Sequence, residues 1–424
     1  MLKIGLLGLG TVGTGVLEVL EQNRAKIERR AGGPLRVARA LVRDPARHSG
    51  KPVELTTRAA DVLEDPDIQI VVEVMGGLEP ARSYMLEALG RGKAVVTANK
   101  EAVAEAGSEL FAAAERGRSD LFFEASVAGG IPIIHALKES LAANRITEVL
   151  GIVNGTTNYI LSQMSLKGRE FAEALAEAQA KGYAEADPTA DVEGHDAARK
   201  LAILASIAFE ARVKPEHVPT QGIAGITQRD IRYARELGYA VKLLALAREE
   251  EGELEAGVYP ALLPSEHPLS AVHDAFNAIF LRGDACGEAM FYGRGAGAHP
   301  TASAVLGDLV DAARHLRMGG RAVACTCYHP LHRKARGTTP RRHYLRLILE
   351  DRPGVLAQVA RAFGDQGVSL TTVLQKAMVG ELAEVVFLTH LASDVRIEAA
   401  LGALSQLASV GAVGNWLRIE GERG

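Results

Sequence analysis

The stretch that decides the fold is LKIGLLGLGTVG, residues 2–13, in which a short apolar run leads into three spaced glycines. Such a run predicts a buried strand, and the residues from Thr11 onward favour a helix. Gly8 permits a tight turn, Gly10 lets a pyrophosphate approach the backbone, and Gly13 lets helix and strand pack closely. The alternative is a glycine-rich turn without a ligand. We expect a dinucleotide to contact this turn, through Gly8, Gly10, Thr11, Val12 and Gly13.

Strand-like runs alternate with helical patterns as far as residue 124. The further runs are LRVARALV (35–42), IQIVVEV (68–74), KAVVTA (93–98) and DLFFEA (120–125). This alternation predicts βαβ units and a parallel sheet. Residues 1–130 are therefore expected to form an α/β dinucleotide-binding domain.

The carboxyl ends of these strands should form the ligand-binding edge of the sheet. Thr97 and Lys100 follow the fourth predicted strand, and Gly76 follows the third, where a backbone must approach the dinucleotide closely. After the second strand, Arg43 favours NADP and the adjacent Asp44 leaves NAD possible. Lys100 could contact the cofactor, the substrate or only solvent.

Length and composition narrow the class of protein. The chain has 424 residues, 47% hydrophobic and 24% charged, with a net charge of −4, which is typical of a globular protein and argues against nucleic acid as a partner. Its first residues contain neither a signal peptide nor a membrane span. Three cysteines fit a reducing compartment, so we expect a cytoplasmic protein.

The rest of the chain divides into a middle and a C-terminal part. Residues 131–297 mix helical patterns with the strand-like runs RITEVLGIVN (145–154), YAVKLLALA (239–247) and EAGVYPALL (255–263), which predicts an α+β substrate and dimerisation domain. A polar stretch, 328–342, reads as a linker, and 343–424 read strand, helix, strand, strand, helix, strand, the order of a ferredoxin-like module. Because the linker is polar, we expect few contacts between this module and the remainder.

The segment CTCYHPLH, 325–332, places two cysteines and two histidines within eight residues. One-residue spacing between the cysteines is tighter than zinc sites prefer. A buried strand end followed by a linker is therefore the favoured interpretation over a metal site.

The most acidic stretch is KGYAEADPTADVEGHDAARK, 181–200. A helix starting near Asp191 would put Glu193, Asp196 and Lys200 on one face, next to the apolar continuation LAILASIAF. An exposed Asp196–Lys200 pair would contribute only about 0.3–0.5 kcal/mol. At the mouth of a packed interior, however, Lys200 could serve as a positioned proton donor, and the carboxylates before it would suit a substrate ammonium.

Taken together, these motifs resemble the homoserine dehydrogenases, and the resemblance covers essentially the whole chain. The matching motifs are GLGTVGTGV (8–16), TANK (97–100), FFEASVAGGIPI (122–133), GIVNGTTNYIL (151–161), GYAEADPTADVEGHDAARK (182–200) and GRGAGAHPTASAVLGDL (293–309). The resemblance implies interconversion of aspartate 4-semialdehyde and homoserine with NADP or NAD, on the route to threonine and methionine.

The resemblance also implies roles for individual residues. Lys200 would be the general acid/base, Lys100 would lie next to cofactor and substrate, and Glu185 would hold the homoserine ammonium or hydroxyl. Asp191 and Asp196 would complete the polar pocket. His195 departs from the family pattern, which commonly has an apolar residue there, but leaves these roles intact.

Two further groups of residues follow from the same resemblance. The segment 298–320 would return to the nucleotide domain, with Gly297 near the nicotinamide. A monovalent cation, sodium or potassium, would bind at Glu124, Val127, Gly129 and Ile131.

The C-terminal module resembles an ACT domain through LEDRPGVLAQVARAFGDQGVSLTTVLQ, 349–375. It implies a threonine effector or a purely structural dimerisation role, and the protein is expected to be a homodimer or larger homo-oligomer.

Two other classes compete with this assignment. A non-catalytic sensor of NADP and an amino acid would have no reason to keep Lys100 and Lys200 beside a carboxylate pocket. A phosphorylating aldehyde dehydrogenase needs a nucleophilic cysteine, for which Cys286 is the only candidate in the catalytic part, and no histidine motif accompanies it.

Overall fold

A six-stranded parallel sheet organises the N-terminal part of the chain. The computed structural model describes residues 1–379 and 382–422. In this sheet the strand order is β3-β2-β1-β4-β5-β6, and every neighbouring pair is parallel. The elements are β1 (Leu2–Leu7), α1 (Thr11–Gln22), α2 (Arg24–Arg30), β2 (Leu35–Leu41), β3 (Glu54–Thr56), α3 (Ala60–Leu63), β4 (Ile68–Glu73), α4 (Ala81–Gly90), β5 (Ala94–Thr97), α5 (Lys100–Arg116) and β6 (Leu121–Phe122).

The observed sheet confirms the expected Rossmann-type class, with two differences in detail. The three-residue strand β3 has no counterpart among the expected strands, because so short a run carries no periodicity. The last strand, β6, spans only two residues, since the chain turns at Phe123 into a 3₁₀ helix over Glu124–Ser126.

A second sheet of nine strands runs through the rest of the molecule, in the order β11-β10-β7-β8-β9-β15-β12-β14-β13. Its last four strands are C-terminal: β12 (Arg342–Glu350), β13 (Leu370–Val379), β14 (Leu382–Thr389) and β15 (Val410–Ile419). The middle elements are α6 (Ile133–His135), β7 (Ile146–Ile152), α7 (Gly155–Lys167), α8 (Phe171–Ala180), α9 (Thr189–Val192), α10 (His195–Ala208), α11 (Gln228–Glu236), β8 (Tyr239–Glu250), β9 (Glu253–Pro264), β10 (Phe276–Gly283), β11 (Gly287–Arg294) and α12 (Ala298–Met318). A π-helix over Ala136–Ser140 continues α6. The hairpin β10–β11 is absent from the expected strands, although β10 contains the apolar run AIFL.

Helix α12 leaves this second sheet and packs on the first one. Its buried residues join the apolar cluster of β1, β2, β4 and α1. Close contact with α1 depends on Gly15, where an added Cβ would lie 2.7 Å from the carbonyl oxygen of Ala298. The helix therefore fixes the segment before it, including Gly297, against the carboxyl edge of the first sheet.

The C-terminal elements follow the expected ferredoxin-like order: β12 (Arg342–Glu350), α13 (Val355–Asp365), β13 (Leu370–Val379), β14 (Leu382–Thr389), α14 (Asp394–Leu404) and β15 (Val410–Ile419). Their strands do not form a separate sheet, because β15 pairs in parallel with β9 of the middle part. Tyr344, Leu417 and Ile419 are buried in the core of the middle part. The expectation of few crossing contacts is therefore wrong.

Buried charges reinforce this junction. Arg346 on β12 is 5% exposed, and its Nε donates to Asp230 Oδ1 of α11 over 2.7 Å. Its Nη1 donates to Glu384 Oε1 of β14 over 3.0 Å. Burial alone would raise the pKa of Asp230, but the hydrogen bonds and charge of Arg346, together with hydrogen bonds from Asn415 and Thr227, outweigh it and lower the pKa. The sequence gives no sign of this pairing, since the partners lie 116 and 38 residues from Arg346.

The connecting segment, 319–341, contains no helix or strand of its own. Isolated bridges join it to the middle part, pairing Ala211 with His329 and Leu254 with Arg333. Cys325 and Cys327 lie in this segment and are half-buried. The expected strand end is therefore absent there, and irregular chain anchored at isolated bridges takes its place.

We expect Arg346→Leu to destabilise the protein by about 3–5 kcal/mol, because it leaves Asp230 and Glu384 buried without their guanidinium partner. Chemical denaturation of the full chain measures this loss. Arg361→Leu is the matched control, since Arg361 is 84% exposed and pairs with Asp365 only at 3.9 Å. It should change stability by less than about 1 kcal/mol. Equal losses in the two variants would contradict a stabilising junction.

Candidate active site

Two lysines from different helices meet at one buried carboxylate, that of Asp196 in the first turn of α10. Lys200 Nζ, one turn later on the same helix, donates to Asp196 Oδ2 over 2.7 Å. Lys100 Nζ, on the first residue of α5, donates to Asp196 Oδ1. Asp196 is 4% exposed, so this is not the exposed helical pair that the spacing alone would allow.

The amide of Asn154 completes the cluster. Its Nδ2 donates to Asp196 Oδ2 over 2.9 Å and to Asp191 Oδ1 over 2.7 Å. Its Oδ1 accepts from the backbone N–H of Thr157 and so caps α7. The amide is thereby held rigidly between the two carboxylates. In the sequence, Asn154 stands directly before a helix in the run VNGTT. This is an N-cap signal, from which a capping role for Asn154 could have been predicted.

Charge explains how Asp196 tolerates its burial. Burial alone would raise the pKa of Asp196, but the ammonium groups of Lys200 and Lys100 outweigh it and hold the pKa well below its usual range. Asp196 is therefore a carboxylate in the folded protein, and Lys200 and Lys100 are held beside it as its counter-ions.

Two of the three N–H donors of the Lys200 ammonium are used within the described part of the protein. An ammonium group carries three N–H donors. One is directed to Asp196, and a second donates to the backbone oxygen of Val153 over 2.7 Å. The side chain is 11% exposed. Among the described residues, the third N–H is left for another acceptor.

The acidic stretch does not form one continuous helix face. Gly194 adopts φ +84° between α9 and α10, and this left-handed conformation ends α9. Glu193 therefore caps α9 and lies exposed, apart from the helix that carries Asp196 and Lys200. The apolar continuation of α10 is buried as expected, from Leu201 to Ala205.

Glu185 lies in the exposed loop between α8 and α9. Its backbone oxygen accepts from Gln179 Nε2 over 3.0 Å. Among the described residues, its carboxylate makes no contact with the Lys100–Asp196–Lys200 cluster. The structure thus brings Asp191, Asp196, Lys100 and Lys200 together and leaves Glu185 apart from them.

The glycine turn after β1 has room for a ligand. Gly8 adopts φ +99°, and a Cβ on Gly13 would lie 2.3 Å from the Gly8 carbonyl oxygen, which explains both glycines by backbone geometry. A Cβ on Gly10 would meet nothing within 4 Å. No side chain among the described residues caps α1 at Gly10. Thr11 begins the helix and is exposed, and Val12 is half-buried. The turn therefore fits a dinucleotide pyrophosphate.

Glu73 shapes the neighbouring loop at the end of β4. Its buried carboxylate accepts from Thr97 Oγ1 over 2.6 Å and from the amides of Met75 and Gly76. Burial raises the pKa of Glu73, against these hydrogen bonds. Gly76 adopts φ +74° and has open space where a Cβ would stand. The Thr97 hydroxyl thus holds this loop by donating to Glu73. The sequence signals this role through Glu73, an acidic residue in an otherwise apolar strand.

Asn99 ties this edge to the lysine cluster. Its Nδ2 donates to the Gly77 carbonyl over 2.7 Å, and its Oδ1 caps α5. Lys100 is the next residue, so the contact with the loop of Gly76 and Gly77 and the cluster at Asp196 are only one residue apart along the chain. A hydride donor at the edge of the first sheet would thus be adjacent to Lys100.

The charges after β2 have different surroundings. Arg43 is exposed. Asp44 caps a 3₁₀ helix over Pro45–His48, accepting from Ala46 N over 3.0 Å, and pairs with Arg47 at 3.4 Å. The Asp44 carboxylate is therefore occupied by its own loop.

The loop after β6 holds a buried acid. Glu124 accepts from the amides of Ile134 and His135, over 2.8 and 2.6 Å, and burial raises its pKa against these bonds. Its own N–H donates to Asp308 on α12, whose pKa is also raised by burial. Val127 and Ile131 are buried in the same loop.

Gly129 and Gly297 mark a close approach of two backbones in this region. A Cβ on Gly129 would lie 2.5 Å from the Gly295 carbonyl oxygen, and Gly130 N donates to Arg294 O over 3.1 Å. Gly297 adopts φ +122° directly before α12. The loop of Glu124 therefore positions the segment that contains Gly297.

Two absences concern the described part of the chain. It contains no group of three or more His, Cys, Asp or Glu side chains arranged to hold a metal ion, so the histidines and cysteines of 325–332 form no such site. None of its helices has both the length and the apolar character needed to span a bilayer.

Family models match most of the chain. The NAD-binding domain of homoserine dehydrogenase matches residues 8–124, homoserine dehydrogenase itself matches 132–310, and the ACT domain matches 343–409.

Individual relatives are similar to this chain over most or nearly all of its length. The homoserine dehydrogenase of Bacillus subtilis is 44% identical, covering 99% of this chain and 98% of the relative. That of Corynebacterium glutamicum is 46% identical, covering 98% and 95%. The crystal structure of a homoserine dehydrogenase from Thiobacillus denitrificans has a TM-score of 0.91 at 45% identity, covering 99% and 98%. A hyperthermophilic archaeal homoserine dehydrogenase in complex with NADPH has a TM-score of 0.63 at 31% identity, covering 73% and 97%.

Fold and site together define an NAD(P)-dependent oxidoreductase: the chain matches an NAD-binding domain, has a glycine turn with room for a pyrophosphate, and holds two lysines at one buried carboxylate. The comparisons specify which one. The chain belongs to the homoserine dehydrogenase family.

Proposed function

We propose that the cluster of Lys100, Asp196 and Lys200 catalyses the interconversion of aspartate 4-semialdehyde and homoserine. The observation that carries the proposal is the geometry of Lys200, an 11% exposed ammonium held by Asp196 and Val153 O with a third N–H left over. A sensor without catalysis has no need for a buried carboxylate that fixes two lysines, so this arrangement favours an enzyme.

The bound nicotinamide supplies the hydride for aldehyde reduction and accepts it in the reverse direction. Lys200 donates a proton to the alkoxide oxygen that develops at the reacting carbon, and takes it back when homoserine is oxidised. Asp196 holds the Lys200 ammonium in its orientation until the transfer. Lys100 adds a second positive charge at the other oxygen of Asp196, where it stabilises the same alkoxide oxygen.

We infer that Glu185 and Asp191 bind the substrate amino acid. Asn154 donates to both Asp191 and Asp196, which supports a substrate-binding role for Asp191 beside the proposed catalytic cluster. Glu185 is exposed and flanked by Asp187 in the loop before α9. Its carboxylate is available to the ammonium of homoserine, and such a contact would join the loop to the cluster.

We infer a preference for NADP over NAD. In NAD enzymes an acid after the second strand accepts from the ribose hydroxyl, whereas an arginine accommodates the 2′-phosphate of NADP. Here Asp44 is occupied as a cap and Arg43 is exposed, which supports the arginine as the recognition residue.

We further infer that a sodium or potassium ion binds at Glu124, Val127, Gly129 and Ile131. The raised pKa of buried Glu124, with Asp308 close by, supports this, because buried carboxylates are stabilised by a bound cation. The role would be structural, since it would hold the loop that positions Gly297.

Assembly and regulation are inferred from other parts of the chain. Edge strand β11 exposes Met290 and Tyr292, which supports a homodimer through the middle part, testable by sedimentation. The ACT match supports an amino-acid effector, with threonine the first candidate as a pathway end product. A threonine titration of the enzymatic rate tests that assignment.

Lys200→Ala should lower turnover by about a hundredfold to ten-thousandfold, the range for loss of a general acid/base. NADP affinity should barely change. Homoserine-dependent NADP reduction and cofactor fluorescence measure the two quantities in a variant that circular dichroism shows to be folded. Lys26→Ala, at an exposed position on α2, is the control and should leave both unchanged. Near-normal turnover of Lys200→Ala would remove this residue from the mechanism.

Glu185→Gln should raise the Michaelis constant for homoserine about tenfold, with a smaller effect on turnover, because a contact made in ground and transition states contributes uniform binding. Asp187→Asn tests an equally exposed acid two residues away. If both variants raise the constant equally, the effect is one of loop charge and Glu185 is not a specific substrate ligand.

Arg43→Ala should weaken NADP binding by about tenfold to a hundredfold, as expected for losing a charge-assisted hydrogen bond, and should affect NAD much less. Dissociation constants for both cofactors give the answer. Arg47→Ala controls for general surface charge, since Arg47 is 82% exposed four residues along. Equal losses for NADP and NAD would contradict the assignment.

Potassium or sodium chloride should raise the melting temperature of the enzyme relative to tetramethylammonium chloride at the same ionic strength. Glu124→Gln should abolish that difference, because it removes the charged cation ligand. Glu139→Gln, an exposed acid nearby, should retain it. A wild-type protein that melts at the same temperature in all three salts has no such site.

A further inference from the structure

Cys325 and Cys327 lie over a small cavity that the proposed catalytic cluster does not use. Its walls come from α5, α10 and the π-helix, including Phe111, Ile203 and Lys138. The cavity volume is about 30 Å³, enough for one or two water-sized molecules. Both cysteines are half-buried, so solvent reaches their thiols only in part.

The Cys325 sulfur is held by a cation. Arg212 Nη2 donates to Cys325 Sγ over 3.0 Å. The bridge between Ala211 and His329, with His329 N donating to Glu210 O over 2.9 Å, fixes the chain on both sides of this contact. The arginine and the thiol are thus kept together by the fold.

Lys138 adds a second positive charge. Its Nζ lies 5.3 Å from the ring centres of Phe111 and Phe123 and donates to Val323 O over 2.7 Å. Val323 is two residues before Cys325. The lysine is therefore anchored to the segment that carries both cysteines.

These surroundings favour a thiolate at Cys325 and a thiol at Cys327. A hydrogen bond from Cys327 lowers the pKa of Cys325 against its burial, and the charges of Arg212 and Lys138 lower it further, to about 5. The same interaction with Cys325, together with burial, raises the pKa of Cys327. The pair is therefore asymmetric, with one nucleophile and one protonated neighbour.

We propose that Cys325 and Cys327 form a reversible redox site, in which a peroxide oxidises Cys325 and Cys327 then closes a disulfide. The Cys325 thiolate attacks one peroxide oxygen, so that an S–O bond forms, the O–O bond breaks and hydroxide leaves. The Cys327 sulfur then attacks the sulfenic acid, forming the S–S bond and releasing water. Two thiols lose two electrons in total, and a dithiol reductant restores them.

Geometry permits this bond. Cα atoms two residues apart lie within about 5.5–7 Å, close to the span that a disulfide bridges. The backbone turns at Cys327, where Tyr328 N donates to Thr326 O over 2.8 Å. The Cys327 sulfur meanwhile contacts Ser206 O of α10 at 3.9 Å, a weak bond that is easily given up.

Mass spectrometry of the full chain tests the proposal. The reduced protein, treated with a few equivalents of hydrogen peroxide, should lose two hydrogens in mass, with both cysteines linked in one peptide, and dithiothreitol should reverse the change. Cys286→Ser is the matched control, because Cys286 is the exposed third cysteine, and it should behave as wild type. Cys327→Ser should stop at a sulfenic acid that dimedone captures, and Cys325→Ser should give neither product.

The pH dependence of alkylation gives an independent readout that does not rely on enzymatic activity. In Cys286→Ser, the rate at which iodoacetamide labels Cys325 should rise with a midpoint below pH 7, and Arg212→Gln should move that midpoint upward. A midpoint above about 8, as for an ordinary thiol, would overturn the proposal. So would peroxide products confined to Cys286 or to disulfides between chains.

Discussion

The burial of the Asp196 carboxylate is the constraint on which the arrangement of this site depends. Removing a carboxylate from water is unfavourable by several kcal/mol unless opposite charges and hydrogen bonds surround it. Here Lys100 arrives from α5, Lys200 from α10 and Asn154 from the start of α7. The starts of these three helices meet at Asp196, and each helix supplies one side chain that donates a hydrogen bond to the buried carboxylate. The proposed proton donor is thereby positioned by the same contacts that stabilise the fold.

That constraint also explains how much of the site the sequence could predict. Asp196 and Lys200 were visible because helical spacing puts residues four apart on one face. Strand order left Lys100 open among cofactor, substrate and solvent, and only the family resemblance put it next to both ligands, since Lys100 and Asp196 are 96 positions apart and local patterns carry no information at that distance. The helix expected to start near Asp191 is divided into α9 and α10, because the left-handed conformation of Gly194 separates Glu193 from α10, and a glycine is a common signal for a helix end.

The fold shows the same division between local and distant information. The turn after β1 could be predicted, because Gly8 and Gly13 meet backbone requirements within a few residues and Gly10 leaves open space beside the helix start. The joining of two sheets into nine strands could not. It depends on the pairing of β9 with β15 and on Arg346 reaching Asp230, and neither leaves a periodic signal in the sequence. The polar linker predicts an independent C-terminal module, but the contacts beyond the linker join that module to the middle part.

The continuous sheet changes how the C-terminal part can be studied. Helix α10 packs on β7, β8 and β9, and β9 in turn pairs with β15 of the ACT domain. Deleting the ACT domain would leave Asp230 without Arg346 and would expose an unpaired edge on β9, so the middle part would be destabilised directly. Loss of activity after such a deletion would therefore report on folding and not on an effector. Substitutions on the exposed face of α13 or α14, which leave the junction intact, separate regulation from stability.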